Sequence, residues 1–417
     1  MTGVWRRRWG EIAAQRMLAD IGTTSLTGLR PSAISNPEMV RDIAHSVYQT
    51  VALSAADASS LGSDFQRVGF VDKPRDSANE EFIDSYGVGW LVIDGFPAPF
   101  HHPLQDSEWG QIPQYPKPLV PARLQFADPA RDDLLTVLDP PCPGLLDTCF
   151  MLRNAWQFMD DLTSDWRKAS ALLDWAMEVV EKSYQTCLSA LPVEPDLIVY
   201  GDDLGFQSGM YLSDVDFRNF LLPRMQTLFA RLRHRTSAPI CLHSCGAVRS
   251  IVGDLTSLDI DMLNLDFYAK GMIMGEVRKQ LPAEVILHAP VNLAAVGRAV
   301  VEGNKATLAL LATEIAAAMP AIAAPIDNIA TAEDLFCSYY GIAFARALDA
   351  GDLAMLRDVG PVRSIIEKAQ DLALKSEMPS VAHGEIPIAV LEQSSTADAR
   401  PRPRSTPVQA PMEARLH

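Results

Sequence analysis

The sequence of 417 residues predicts an α/β protein, a (β/α)8 TIM barrel with an N-terminal insertion of short strands. Four short apolar runs begin near residues 197, 239, 262 and 284, and stretches with helical periodicity separate them. Such alternation is typical of a parallel sheet whose strands are joined by helices. The length also suits one large barrel, which usually needs about 250 residues or more.

The barrel is expected to span residues 1–377, followed by a disordered tail at residues 378–417. Residues 57–140 are rich in proline, glycine and aromatic residues, with an alternating stretch from Val88 to Ile93. We expect this segment to be an insertion of short strands that packs as a lid over one end of the barrel. The tail is rich in Pro, Ser, Thr, Ala and Arg, a composition that predicts disorder.

Helical periodicity predicts helices over residues 145–162, 164–191, 213–235, 292–301 and 305–319. Ser164 and Ser213 stand where a helix N-cap is expected, because their hydroxyls can accept a backbone N–H of the first turn. Pro223 lies inside the third of these helices and should kink it, since proline has no N–H to donate.

Composition limits the partners that the protein can have. The formal net charge is −16, with 48% hydrophobic and 21% charged residues, which is typical of an ordinary globular protein with an acidic surface. Such a surface repels nucleic acid and anionic membranes, so we expect a small-molecule substrate instead of either of these partners. A homodimer is a separate expectation. Six cysteines, no signal peptide and no apolar run of membrane-spanning length favour a reduced cytoplasmic location.

The segment from Pro239 to Val248 carries the main chemical signal. It reads Pro-Ile-Cys-Leu-His-Ser-Cys-Gly-Ala-Val, an apolar run that ends in His243 and Cys245 before a turn at Gly246. Positions two apart on an extended chain face the same side, so the imidazole and the thiolate can meet at one point. Nitrogen and sulfur donors suit zinc. The alternative is structural, because a buried cysteine is often a small hydrophobe and a histidine is often only hydrogen-bonded.

Polar residues also end the neighbouring predicted strands. Asp202 and Asp203 follow the run at residues 197–200, Asp266 follows residues 262–265, and His288 ends the run that begins at residue 284. In a barrel the carboxyl ends of the strands converge on one mouth, so these side chains are expected to share a site with His243 and Cys245. The alternative is that each one is separately hydrogen-bonded within the loops.

These residues resemble the uroporphyrinogen decarboxylase superfamily, and more closely its branch of zinc-dependent corrinoid methyltransferases. The specific matches are Gly-Asp-Asp-Leu-Gly-Phe-Gln-Ser-Gly at residues 201–209 and Leu-His-Ser-Cys-Gly at residues 242–246. Supporting matches lie at residues 20–24, 83–87 and 325–329, so that the resemblance spans about residues 18 to 350.

The resemblance implies an intracellular enzyme that moves a methyl group between a corrinoid and a thiol or folate acceptor. Zn²⁺ would activate the thiolate, and methylcobalamin or a separate corrinoid protein would exchange the methyl group, since the chain has no Asp-x-His-x-x-Gly stretch of a corrinoid domain. The expected roles are catalytic for Asp202, Asp203, Gln207 and His288, cofactor-binding for Tyr200 and Asp266, and metal-ligating for His243, Cys245 and Cys337.

The third metal ligand departs from the pattern of that branch, which has a later cysteine just before its Pro-x-x-Asn-Ile stretch. Residues 310–324 contain no cysteine, and Cys337 lies beyond Asn328. Cys337, Asp266 and His288 are therefore all open as substitutes, and so is a site without metal.

Three other functions stay open. A uroporphyrinogen decarboxylase-like lyase is disfavoured because residues 23–35 offer only Arg30 to hold an acidic tetrapyrrole. The missing cysteine favours a non-catalytic corrinoid- or tetrapyrrole-binding protein. A different lyase or demethylase on the same barrel would use the carboxylates without zinc.

Overall fold

The computed structural model of the chain describes residues 64–70, 81–93, 96–118, 124–126 and 132–324, together with Ala19, Gly341 and Phe344. The strands are β1 (Phe65–Phe70), β2 (Glu81–Ile83), β3 (Gly89–Ile93), β4 (Phe96–His101), β5 (Leu124–Phe126), β6 (Leu135–Leu138), β7 (Leu197–Gly201), β8 (Gly205–Phe206), β9 (Gly209–Met210), β10 (Ile240–Ser244), β11 (Met262–Leu265), β12 (Ile286–His288) and β13 (Ala321–Ile322). The helices of four residues or more are α1 (Leu145–Arg153), α2 (Ala155–Ser164), α3 (Trp166–Ala190), α4 (Leu222–Arg233), α5 (Val252–Leu255), α6 (Met274–Arg278), α7 (Leu293–Val301) and α8 (Lys305–Ala318). The predicted tail at residues 378–417 and Cys337 lie outside the described residues.

The main sheet is curled and almost entirely parallel, as predicted. Its strand order is β13-β12-β11-β10-β7-β6-β1-β5, and only β5 runs antiparallel, at the edge. Ala19 forms a parallel bridge with Ala323, and its carbonyl oxygen accepts the N–H of Asp64, directly before β1. Ala19 thus contacts both ends of the row of seven parallel strands, where the first strand of a closed eight-stranded barrel would lie.

The predicted insertion at residues 57–140 needs correction at both ends. Strands β1 and β6 belong to the main sheet, and only β2, β3 and β4 form a separate antiparallel sheet. All four residues of β6 are buried, which fits a central strand better than a lid. These two strands were not recognised from the sequence, because they are short and because the residues between them show no helical periodicity.

The alternating stretch at residues 88–93 contains β3, which pairs with β2 in an antiparallel hairpin. Asp84 anchors its turn: its carboxylate accepts the backbone N–H groups of Tyr86 and Val88 and the indole N–H of Trp90, at 2.8 to 2.9 Å. A short carboxylate that bonds the backbone two residues on is typical of turns.

Two helix predictions change in detail, and a third is confirmed. The helix expected over residues 145–162 is broken at Asn154, which has a φ of 70° and caps α2 by accepting the N–H of Trp156. Ser164 ends α2 instead of capping α3, and Asp165 occupies that cap position. Ser213 does cap its helix, as expected, and accepts the N–H of Asp216 at 3.1 Å.

The kink expected at Pro223 takes the form of a π-helical turn. A short α-helical turn at Asp214–Asp216 leads into π-helical residues Phe217–Leu221, which continue into α4. Proline cannot donate the N–H that an α-helix needs at this point, so the preceding turn is wider.

The inner face of the sheet carries an apolar layer below a polar one. The apolar layer consists of buried side chains from six strands: Phe65, Leu135, Val137, Leu197, Cys241, Met262 and Ile322. Next along β10, β11 and β12, toward their carboxyl ends, the register pairs His243 with Asn264 and Asn264 with His288. A polar floor therefore lies directly above the packed interior.

Within the described ranges, none of the helices combines the length and the apolar character needed to cross a lipid bilayer.

Candidate metal centre

Three predicted site residues come together at the carboxyl ends of β7 and β10. Asp203, His243 and Cys245 each offer one donor atom, and these atoms lie within 4.8 Å of one another. His243 Nε2 is 3.5 Å from Cys245 Sγ and 3.7 Å from Asp203 Oδ1. The side chains of His243 and Asp203 are 38% and 43% exposed, so a small molecule can reach them from solvent.

The register of the two strands explains this meeting. His243 pairs with Gly201 across β10 and β7, and both strands run in the same direction. Two residues further along, Cys245 and Asp203 again face the same side. The backbone N–H of Cys245 donates to Asp203 Oδ1 at 3.0 Å, which ties the two loops together.

The donor set fits zinc. Zinc accepts imidazole nitrogen, thiolate sulfur and carboxylate oxygen, at about 2.0 to 2.3 Å in tetrahedral geometry. Nitrogen and sulfur donors at two corners of such a tetrahedron stand about 3.5 Å apart. The separation of His243 Nε2 and Cys245 Sγ, 3.5 Å, matches this value.

Hydrogen bonds hold His243 from behind. Its Nδ1 donates to Asn264 Oδ1 at 3.2 Å, and Asn264 Nδ2 in turn donates to His288 Nδ1 at 2.8 Å. His288 is 2% exposed and lies in the polar floor, outside the group of three donors.

Asp202 faces away from this group, into the protein. Its carboxylate accepts the N–H groups of Leu146 and Asp147 at the start of α1, at 3.0 Å each, and the hydroxyl of Tyr200 at 2.9 Å. Negative charge at a helix N-terminus is favourable, and α1 has no side-chain cap of its own. A Cβ on Gly144 would lie 2.3 Å from Asp202 Cγ, so glycine is required there.

Asp147, in the first turn of α1, is a further carboxylate beside Asp202 and Asp203. Its Oδ2 accepts the N–H of Asp203 at 3.2 Å. Burial, and then the charges of Asp202 and Asp203, raise the pKa of Asp147 well above its usual value. Burial likewise raises the pKa of Asp202 to about 6, against the lowering effect of its hydrogen bonds. Burial, followed by the charge of Asp203, also raises the pKa of the Cys245 thiol.

The raised pKa values predict how stability depends on pH. Between about pH 4 and pH 6 the folded protein holds protons on Asp147 and Asp202 that the unfolded chain has lost, so their contribution to the free energy of unfolding decreases as pH rises. Asp147→Asn removes one of these groups. We expect urea unfolding of the metal-free protein to show a smaller loss of stability between pH 4.5 and 7 in this variant than in the native chain. Asp160→Asn, on the exposed side of α2, is the control and should keep the native loss; an equal effect of both substitutions would contradict the prediction.

The rim of the site is polar on one side and aromatic on the other. Gln207 Nε2 donates to Asp266 Oδ2 at 2.6 Å. Tyr211 packs against Phe150 and Phe206 with ring centres 5.1 and 5.5 Å apart, and Phe206 is 44% exposed. This rim offers hydrogen bonds and flat apolar surface to a ligand.

The predicted site residues thus divide into four placements. Asp203, His243 and Cys245 form the donor group, Gln207 and Asp266 lie on the rim, and His288 lies in the floor. Tyr200 and Asp202 are buried behind the group at the start of α1. Cys337 lies outside the described residues, and neither Asp266 nor His288 belongs to the donor group. The sequence placed Asp203 among the catalytic residues, whereas the structure places it in the donor group. The sequence did contain a signal for this placement: Asp203 lies two residues after Gly201, just as Cys245 lies two residues after His243.

Comparisons with known proteins agree with this architecture. Residues 147–319 match the family model described as uroporphyrinogen decarboxylase (URO-D), a range that includes the donor group. A search of curated proteins found no match. Among solved structures, a methyltransferase from Methanosarcina mazei is similar with a TM-score of 0.53 and 16% sequence identity, covering 79% of this chain and 93% of that chain. At this identity the likeness establishes the fold alone. Residues 147–319, the part of the chain that carries the donor group, are therefore similar to the uroporphyrinogen decarboxylase family.

Proposed function

We propose that the protein is a zinc-dependent methyltransferase that moves a methyl group between a corrinoid and a thiol or folate acceptor. The observation that carries this proposal is the meeting of Asp203, His243 and Cys245 at the solvent-accessible carboxyl ends of adjacent parallel strands. Active sites of parallel barrels lie at this end of the sheet. The bridges of Ala19 support a barrel that is closed by an eighth strand.

The three donors would hold one Zn²⁺ and leave room for a further ligand. When bound, zinc supplies the positive charge that keeps an acceptor thiol in its thiolate form at neutral pH. Asp203 has a second task, because its Oδ1 accepts the N–H of Cys245 and orients the cysteine loop.

The other site residues would bind and position the substrates. Gln207 and Asp266 are hydrogen-bonded to each other on the rim and can exchange that bond for one to a ligand. Asp202 and Tyr200 would act indirectly: they fix the start of α1, and with it the Asp147 side chain that accepts the N–H of Asp203.

Methyl transfer is supported over decarboxylation by two observations. The similar solved structure from Methanosarcina mazei is a methyltransferase. In addition, Asp203 and Asp266 place negative charge at the site, which disfavours a substrate that carries many carboxylates. A separate corrinoid protein or free methylcobalamin would bring the methyl group.

The test is a methyl-transfer assay with the zinc-loaded protein, methylcobalamin and a panel of thiols and folates. The reaction is monitored by the loss of the methylcobalamin absorbance. We expect transfer to at least one thiol, in which sulfur loses its proton and gains the methyl group, while the cobalt–carbon bond breaks and leaves its electron pair on cobalt as cob(I)alamin. We expect none after zinc is removed by a chelator, and recovery when zinc is returned. Carbon dioxide release from uroporphyrinogen, with no methyl transfer to any acceptor, would instead establish the decarboxylase alternative.

A further inference from the structure

We infer that Asn264 and His288 form a hydrogen-bond relay that sets the tautomer of His243, which makes them positioning residues of the site. The proton on His243 Nδ1 is donated to Asn264 Oδ1 at 3.2 Å. In neutral imidazole only one nitrogen carries a proton, so Nε2 is left with its lone pair. That nitrogen is the one that faces Cys245 and Asp203, at 3.5 and 3.7 Å.

The amide of Asn264 has two possible orientations, and only one of them suits the donor group. With Oδ1 toward His243, the proton stays on Nδ1 and Nε2 can donate its electron pair to a metal ion. With Nδ2 toward His243, the amide would donate to Nδ1 and the proton would move to Nε2, where it would block the metal. Histidines that bind metals are commonly oriented by a hydrogen bond to their other nitrogen.

His288 selects the productive orientation. Its Nδ1 lies 2.8 Å from Asn264 Nδ2 and accepts the amide proton. With the proton of His288 on its Nε2, a turn of the amide would place Oδ1 against the lone pair of Nδ1, which is repulsive. His288 is nearly fully buried, so water cannot easily replace this bond.

The strand register places the relay without any loop. His243, Asn264 and His288 are direct cross-strand neighbours on β10, β11 and β12. They lie above the apolar layer, which includes Met262. Met262 is two residues before Asn264 on β11, so the two side chains face the same side of the strand. Side chains on packed strands are held more rigidly than side chains on loops, which suits a positioning role.

The test compares the tautomer of His243 and the zinc affinity of the protein between the native chain and four variants. ¹⁵N NMR of the metal-free protein should show His243 with its proton on Nδ1 in the native chain and a mixture of tautomers in Asn264→Leu. Zinc dissociation constants, measured by competition with a chromogenic chelator, should increase about 10- to 100-fold in Asn264→Leu. His288→Leu should increase them as well, whereas His288→Gln should largely restore the native value because glutamine can accept the same N–H.

Met262→Leu is the matched control, since it repacks the same strand beneath the relay and should change neither readout. Unchanged tautomer and zinc affinity in Asn264→Leu would overturn the relay, and so would an equal loss in Met262→Leu. If Asn264→Leu does not fold, the contrast between His288→Leu and His288→Gln decides the question in the same way. The zinc part rests on the proposed function, but the NMR part does not: a native chain that binds no zinc would refute the proposed function while the tautomer still tests the relay.

Discussion

Cys245→Ser is expected to keep the fold and to weaken zinc binding more than about 100-fold, since even residues that only support metal ligands change affinity 10- to 100-fold. The fold should survive because the substitution retains the backbone N–H that donates to Asp203, and the side chain is only half-buried. A serine hydroxyl stays protonated at neutral pH and is a poor zinc ligand. Plasma mass spectrometry of the dialysed protein gives the zinc content, and circular dichroism gives the fold.

Cys142→Ser is the matched control. Cys142 is also half-buried, but it does not belong to the donor group, so its zinc content should equal that of the native chain. Native zinc content in Cys245→Ser would contradict the assignment of Cys245 as a ligand. Loss of zinc in both variants would show that the effect is not specific to the site.

Gly246→Ala is expected to lower the free energy of unfolding by roughly 2 to 6 kcal/mol, from backbone strain and steric overlap together. Gly246 has a φ of 88°, in the region that favours glycine. A Cβ there would lie 2.1 Å from the carbonyl carbon of Gly205 and 2.4 Å from the N of Phe206. Both contacts are with backbone, so the loop after β10 would have to move away from β8, and Cys245 would move with it.

Urea unfolding of Gly246→Ala and of Gly275→Ala tests this expectation. Gly275 lies in α6 with open space around its Cα, so alanine there should be neutral or slightly stabilising. An unfolding free energy in Gly246→Ala within 1 kcal/mol of that control would contradict the close packing of the two loops.

Much of the fold was predictable because helix and strand periods are local properties of the sequence. The runs at residues 197, 239, 262 and 284 became β7, β10, β11 and β12 within two residues. Strands β1 and β6 were missed because they are short, because no helical period in the sequence separates them, and because their place in the sheet depends on distant pairing. The break at Asn154 was missed because its cause, a residue with positive φ, is not a periodic signal.

The candidate site was predictable as far as one strand could show it. His243 and Cys245 share a face because they are two apart, which the sequence alone indicates. The placement of Asp203 beside them depends on the register of β7 against β10, and the placement of Asn264 depends on the register of β11 against both of its neighbours. The inward placement of Asp202 depends on α1, because its carboxylate accepts backbone N–H groups of that helix from residues 55 and 56 positions earlier in the sequence. Contacts between elements, not properties of single segments, decided these placements.

X-ray absorption at the zinc edge tests the central claim most directly, because it counts the sulfur and the nitrogen or oxygen donors around the metal. With Asp203, His243 and Cys245 as ligands, we expect one sulfur at about 2.3 Å and two or three lighter donors at about 2.0 to 2.2 Å. Asp203→Asn should lose one light donor and keep the sulfur. Two sulfur donors in the native protein, reduced to one in Cys337→Ser, would contradict the assignment of Asp203 as the third ligand, and a folded native protein that binds no zinc would contradict the metal centre itself.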